Sequence, residues 1–147
     1  MANLHTAFLA TLEGDSIMTT LLTGGLLDAE DFDPEGLSVD DVPRESDGVR
    51  AKPFGAVRWK QETATGPYKI GAMDESAEFY IYQNQGYSVI EQAITRAKQL
   101  LHDVYLTADD RAIAHISLTL ISLGFPAVEL GNLPCRFMRF SIIGIRE

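Results

Sequence analysis

What this chain has little of narrows it first. A single cysteine, Cys135, stands among 147 residues. It excludes an intrachain disulfide and every zinc or iron-sulfur motif built from several thiolates, and it fits a reducing compartment. The three histidines, His5, His102 and His115, lie far apart, without the close spacing of a zinc site. No stretch reaches the roughly 18 uninterrupted apolar residues of a spanning helix; the longest candidate, Ile113 to Phe125, is interrupted by His115, Ser117 and Thr119. Met1 to Thr11 holds no lysine or arginine and so lacks the charged start of a secretory signal, and the expectation is a soluble, unexported protein. Basic residues are scarce too, 12 against 21 acidic for a net charge of -9, which disfavours general affinity for nucleic acid or anionic membrane.

What is present is ordinary in amount and uneven in placement. Hydrophobic residues at 46% and charged residues at 22% are globular proportions, and the length suits one domain over residues 1–147 that buries about 68 to 70% of its unfolded surface. The charge is not spread over that domain. Between Asp28 and Asp47 lie nine acidic residues and one basic, Arg44, so this stretch carries -8, while the other 127 residues hold 12 acidic and 11 basic.

Periodicity orders the rest. Leu4, Phe8 and Leu12 draw a narrow apolar stripe on a short helix over Asn3 to Glu13, which Gly14 ends. Asp15 or Ser16 then caps a second turn carrying Ile17, Met18, Leu21 and Leu22, closed by Gly24 and Gly25. From Asp28 to Pro53 the pattern lapses into a long acidic loop or arm, whose Phe32, Leu37, Val39 and Val42 are available to anchor it. Alternation predicts a strand over Phe54 to Thr63, with Val57 and Trp59 on one face and Arg58 and Lys60 on the other. A weaker strand follows over Tyr68 to Met73, then a turn at Asp74-Glu75-Ser76. A stronger strand covers Ala77 to Tyr82, with Phe79 and Ile81 opposed to Glu78, Tyr80 and Tyr82. Ser88-Val-Ile-Glu91 reads as a capping box. The helix it opens runs to about His102, with Ile90, Ala93, Ile94, Ala97, Leu100 and Leu101 on one face.

Two further strands complete the order. Ile113 to Leu123 places Ala114, Ile116, Leu118 and Leu120 on one parity. After a break at Gly124-Phe125-Pro126, a short piece at Ala127 to Leu130 and a turn at Gly131 to Pro134, Arg136 to Arg146 is partly apolar on both faces and is expected to be central or covered twice. The fold class is therefore α+β: a mostly antiparallel sheet packed by one long helix and a short N-terminal helical segment, with a long acidic loop.

Tests for chemistry mostly fail. Asp31-Phe-Asp33-Pro-Glu35-Gly36 matches the first half of a calcium loop, but position twelve is Val42 and Pro34 stiffens the interior, so a solvated acidic arm is the reading and no metal is expected. Cys135 opens an apolar strand, where a free cysteine behaves as a small hydrophobe, His102 ends a helix where a partly charged ring suits the dipole, and His115 sits on a polar strand face. No phosphate loop or dinucleotide fingerprint exists, and neither a catalytic site nor a cofactor is expected. Arg58 and Lys60 around Trp59 resemble a small nucleic-acid platform, yet fit the solvent face of a strand better. Tyr80 and Tyr82 read as neighbouring exposed tyrosines of a protein contact.

The order of elements nevertheless resembles a family. The Leu-Leu-x-Gly-Gly-like closure of the N-terminal helical segment, the long irregular stretch, Phe54-Gly-Ala-Val-Arg-Trp59, Phe79-Tyr-Ile-Tyr82, Ala97-Lys-Gln-Leu-Leu101 and Arg136-Phe-Met-Arg-Phe-Ser141 look like the tail terminator and tail completion proteins of long-tailed bacteriophages. The resemblance implies a virion structural protein, not an enzyme, assembled in the host cytoplasm. It implies a six-membered ring on the last tail-tube ring that stops polymerisation and docks the head connector, with DNA only passing through the lumen. Its implied partners are further copies of itself, the tail-tube protein, and a head connector or head-closure protein. The candidate interface residues are Asp31, Phe32, Asp33, Glu35, Asp40 and Asp41 of the arm, with Arg58, Lys60, Tyr80 and Tyr82 of the strands. The arm is expected to clasp a neighbour or to line the lumen and repel DNA. The rival readings are a head-closure or connector protein of the same neck, and a monomeric acidic module that binds or inhibits a basic partner.

Overall fold

The computed structural model describes residues 4–28, 42–62, 72–107 and 112–146. Helix α1 (Leu4–Glu13) buries Phe8 and Leu12, two members of the predicted stripe. Of the two candidate caps for α2 (Ser16–Leu21), Asp15 serves: its carboxylate accepts from the Met18 amide at 2.9 Å. Gly25, at φ 84, turns the chain into a short strand that the sequence did not suggest, β1 (Leu26–Asp28).

The remaining elements are β2 (Phe54–Glu62), β3 (Ala72–Tyr82), α3 (Ser88–Leu101), β4 (Val104–Thr107), β5 (Ala112–Ile121), β6 (Phe125–Ala127), a 3-10 turn (Val128–Leu130) and β7 (Leu133–Arg146). They form a seven-stranded sheet in the order β1-β2-β3-β7-β5-β4, with β6 paired to the start of β7. The β1–β2 pair is parallel and every other pair antiparallel. The expected α+β class is what the chain adopts, and β7 is central, the first of the two places expected for it.

Four local expectations are overturned. Asp74-Glu75-Ser76 is not a turn but part of the first half of β3, because each residue finds a use there: Asp74 and Ser76 lie opposite Ile143 and Ser141, and the Glu75 carboxylate meets His5 Nε2 of α1 at 2.8 Å. The capping box does not form. Ser88 already lies inside α3, and Gln83 Oε1 takes the cap role, accepting from the amides of Val89 and Ile90 at 2.9 and 3.2 Å. In β5 a bulge between Leu118 and Leu120 shifts the register, so Leu120 is 41% exposed and Ile121 packs inward in its place. The His102 ring turns to the sheet instead of the helix end; its Nδ1 accepts from the Leu118 amide, opposite it just before β4 begins, at 3.0 Å. The predicted strand at Tyr68 to Met73 lies outside the described residues but for its last two, which open β3.

The sheet has two unlike faces. On one, Val57, Ala77, Phe79, Ile81, Met138, Phe140 and Ile142 meet Phe8, Leu12, Met18 and the buried stripe of α3. On the other, a smaller cluster of Phe54, Ala56, Tyr82 and Cys135 lies at one end only, covered by Val42, Ala51, Ala127 and Leu130. Most of that second face has no layer over it among the described residues.

Candidate functional site

The expected interface residues of the arm, Asp31, Phe32, Asp33, Glu35, Asp40 and Asp41, lie outside the described residues. The rest of the predicted arm is not a projection. Residues 42–53 double back, with Arg44 bridged to Ala51 and the Lys52 amide donating to Pro43 O at 2.9 Å. The Asp47 carboxylate holds the bend, accepting from the amides of Val49 and Arg50 and from the Arg50 guanidinium at 2.8, 3.0 and 2.7 Å. These donors hold its carboxyl down at about 2, the Val49 amide most. Val42 and Ala51 are buried in the second cluster, so apolar anchoring on its own sheet has overridden the polar composition.

On the strands the expected residues separate. Tyr82 is 4% exposed and stacks on Phe54 at 4.7 Å, so it belongs to the core and not to an exposed tyrosine pair. Tyr80 is half-buried between Tyr82 and Phe137, at 6.5 and 5.1 Å. Burial first and the Glu78 charge second push its phenol up, against the opposing Arg58 charge. The nucleic-acid platform is not assembled, since Trp59 turns to the helical face, stacked on His5 at 3.9 Å and edge-on to Phe8 at 5.2 Å. Lys60 holds the register position opposite Ser76.

Arg58 is brought into an arrangement that pattern reading missed. It lies directly opposite Glu78 on β3, and Glu78 directly opposite Arg139 on β7, so three strands carry an Arg-Glu-Arg row. Glu78 is 2% exposed, and Arg139 Nη2 donates to its Oε2 at 3.2 Å. The Arg139 guanidinium also lies 5.9 Å from the Phe137 ring centre, and its other cross-strand neighbour is Leu120. Alternation gave each residue its face, but only the pairing register places the three side by side. Further along the open face, Tyr105, His115 and Ile143 occupy another cross-strand row, with Tyr105 and Ile143 well exposed. Asp103 meets His115 at 2.7 Å, and that hydrogen bond lowers its carboxyl.

Among the described residues these groups are spread along a sheet face in separate cross-strand rows. Cys135 is buried, and His115 pairs with Ile143, eight residues further along β7, so about 27 Å of strand separates the two groups that a thiol-imidazole pair would need together. Among the described residues no cluster of three or more His, Cys, Asp or Glu could hold a metal, and no helix is long and apolar enough to cross a membrane. A shallow groove between α2 and α3, with Ile17 and Leu21 on one wall and Thr95 on the other, is open to solvent.

No family model matches the chain, and no curated protein matches it by sequence. Among solved structures, a chain of the virion of a native gene transfer agent particle superposes with a TM-score of 0.67 at 13% identity, covering 97% of this chain and 94% of that one. The fold is shared end to end. At that identity the likeness is one of architecture, with both chains spanned almost whole.

Proposed function

We propose that this chain is a virion structural protein that forms a ring at the head-proximal end of a tail, ends tail-tube polymerisation and joins the tail to the head connector. The observation that carries the reading is the end-to-end likeness to a chain of an assembled virion particle. The open sheet face supports it, because a ring needs surfaces left for neighbours and this face offers charge, aromatic rings and exposed aliphatic side chains where an enzyme would offer a convergent pocket. A head-closure role in the same neck uses the same kind of surface and differs only in which partner sits below.

Light scattering followed by negative-stain microscopy tests the reading, first on the purified chain and then on the chain mixed with tail tubes. Rings with an axial hole, or tubes capped at one end and halted in length, are the expected result. A monomer at every concentration that leaves tubes uncapped overturns it, and binding of that monomer to a basic protein would put the acidic-module reading in its place.

A further inference from the structure

Where β4, β5 and β7 lie side by side, the second face of the sheet carries exposed apolar groups. Tyr105 is 73% exposed; Ile143, on the same cross-strand row, and Ile113, two positions before His115 on β5, are exposed with it. The corner they form is ordered by its own contacts. The Tyr105 ring leans on His115 at 4.9 Å, and Asp103 holds the same imidazole at 2.7 Å. A tyrosine already fixed in place gives up little conformational freedom when it is covered, and tyrosine is among the residues that anchor protein contacts.

The helical layer, on the other side of the sheet, holds the groove between α2 and α3, of about 530 Å³. Ile17, itself 50% exposed, and Leu21 form its apolar wall, and Gln92 and Thr95 stand on the facing one. A trough this open would leave a free small molecule largely in water, whereas it takes a side chain carried by another surface. Charge selects the partner. On a chain of net charge -9, two copies repel unless they meet where carboxylates are few or matched. Of the charges lining the groove, Arg96 is already held by Asp15, and Glu91 lies two turns before Lys98, which is exposed and flanks the wall one turn beyond Thr95. The corner brings one carboxylate, Asp103, whose side chain is 76% exposed. Asp103 stands about 6 to 7 Å from Tyr105 along the chain, and Lys98 about 4.5 Å from Thr95 along its helix. A tyrosine seated beside Thr95 therefore brings that carboxylate within reach of that ammonium. We infer that the Tyr105-Ile113-Ile143 corner of one copy of this chain seats in the α2–α3 groove of a second copy, with Asp103 facing Lys98. The two patches differ and lie on opposite sides of the sheet, as the head-to-tail contact of a ring requires. The inference rests on the ring reading and adds to it which two surfaces meet.

Sedimentation velocity on full-length variants tests it, with circular dichroism as the control for folding. Tyr105→Ser with Ile143→Ser strips the corner, and Thr95→Trp fills the groove. Each of these two variants is expected to self-associate at least about tenfold more weakly than the wild type. Their mixture is expected to form pairs and to stop there, because each supplies the patch that the other lacks and one intact contact results. Should Thr95→Trp unsettle α3, Gln92→Trp places the same bulk on the same wall. Asp103→Asn, which suits the left-handed backbone of that residue at φ 56, and Lys98→Gln close a double-mutant cycle. Each is expected to weaken association by up to about fivefold, and the two together by no more than either alone.

Variants of the corner and the groove that assemble as the wild type does would overturn this contact while leaving the ring reading intact. A loss at one patch without a loss at the other means that the sensitive patch meets some other surface, which overturns the match between the two. Losses at both with no pairing on mixing overturn the head-to-tail arrangement, and additive effects at Asp103 and Lys98 overturn their pairing. A wild type that stays monomeric at every concentration overturns the contact as well, and whether it then caps tail tubes decides the ring reading separately.

Discussion

The two faces of one sheet are put to opposite uses. Along β7 the residues alternate between them: Met138, Phe140 and Ile142 enter the core beneath α1 and α3, while Phe137, Arg139, Ser141 and Ile143 stand on the open face. The first face is apolar but for Glu75, which is held by His5 of α1, and the second runs from a small aromatic cluster through the charged row to exposed aliphatic groups. Burial on the helical side supplies stability by removing apolar area from water; the open side keeps charged and aliphatic groups at the surface. Neighbouring residues of one strand should therefore differ sharply when truncated.

Phe140→Ala is the largest test of that contrast. Its ring is fully buried and packs edge-on against Phe8 at 5.6 Å, so truncation is expected to cost about 3 to 5 kcal/mol in urea unfolding. Ile143→Ala, three residues on and 55% exposed, is expected to stay within about 0.5 kcal/mol. Equal losses at the two sites would erase the distinction between the faces. Gly55→Ala probes the helical side from the opposite direction. An added Cβ would stand 2.4 Å from Phe79 Cε1 and 2.7 Å from Leu26 Cδ2, and the overpacking should cost about 1 to 3 kcal/mol.

The open face has a stability term of its own at Glu78. Glu78→Gln removes the buried charge that the flanking arginines compensate, and a loss of about 1 to 3 kcal/mol is expected. Ser141→Ala, in the middle of the same face, should be nearly silent. If Glu78→Gln were silent as well, the row would be only a solvated surface.

How much of this was legible follows from the range of the forces involved. The stripe of α3, the parity of Phe79 and Ile81 and the central place of β7 are set by residues a few positions apart, and the sequence displays them directly. Asp74-Glu75-Ser76 misled because a polar triplet looks like a turn until its partners, Ser141, Ile143 and a histidine 70 residues away from Glu75, are known. Leu120 misled because a bulge reverses parity without any glycine to mark it. The Arg-Glu-Arg row was invisible for the same reason: its members are 20 and 61 residues apart, and cross-strand register is a tertiary property. β1 and β4 were missed as three- and four-residue edge strands, too short for alternation to register.

The cap of α3 separates local pattern from tertiary contact in a single measurement. Gln83→Ala removes the acceptor of two helix amides and is expected to cost about 1 kcal/mol. Ser88→Ala should cost less than about 0.5 kcal/mol, because Ser88 lies inside the helix and caps nothing. The reverse ranking would restore the capping box that the sequence suggested.

The smallest effect is a pH dependence that belongs to the helical layer. Asp15 caps α2 and also accepts from Arg96 of α3 at 2.6 and 2.9 Å, and the Arg96 hydrogen bond is the main cause that lowers its carboxyl from 3.8 to about 2. A carboxyl depressed in the folded state binds protons more tightly when unfolded, so its contribution is complete above about pH 4 and is lost as pH falls through about 2. The stability gap between wild type and Asp15→Asn should thus be flat from neutrality to about pH 5 and close between about pH 4 and about pH 2. Asp47, equally depressed, holds only the hairpin on the other side of the sheet, so Asp47→Asn should speed amide exchange at Val49 and Arg50 and leave the α2–α3 contact unmoved. A gap at Asp15 that persisted unchanged to about pH 2 would mean that the ion pair does not join the helices, and that apolar burial alone holds that face.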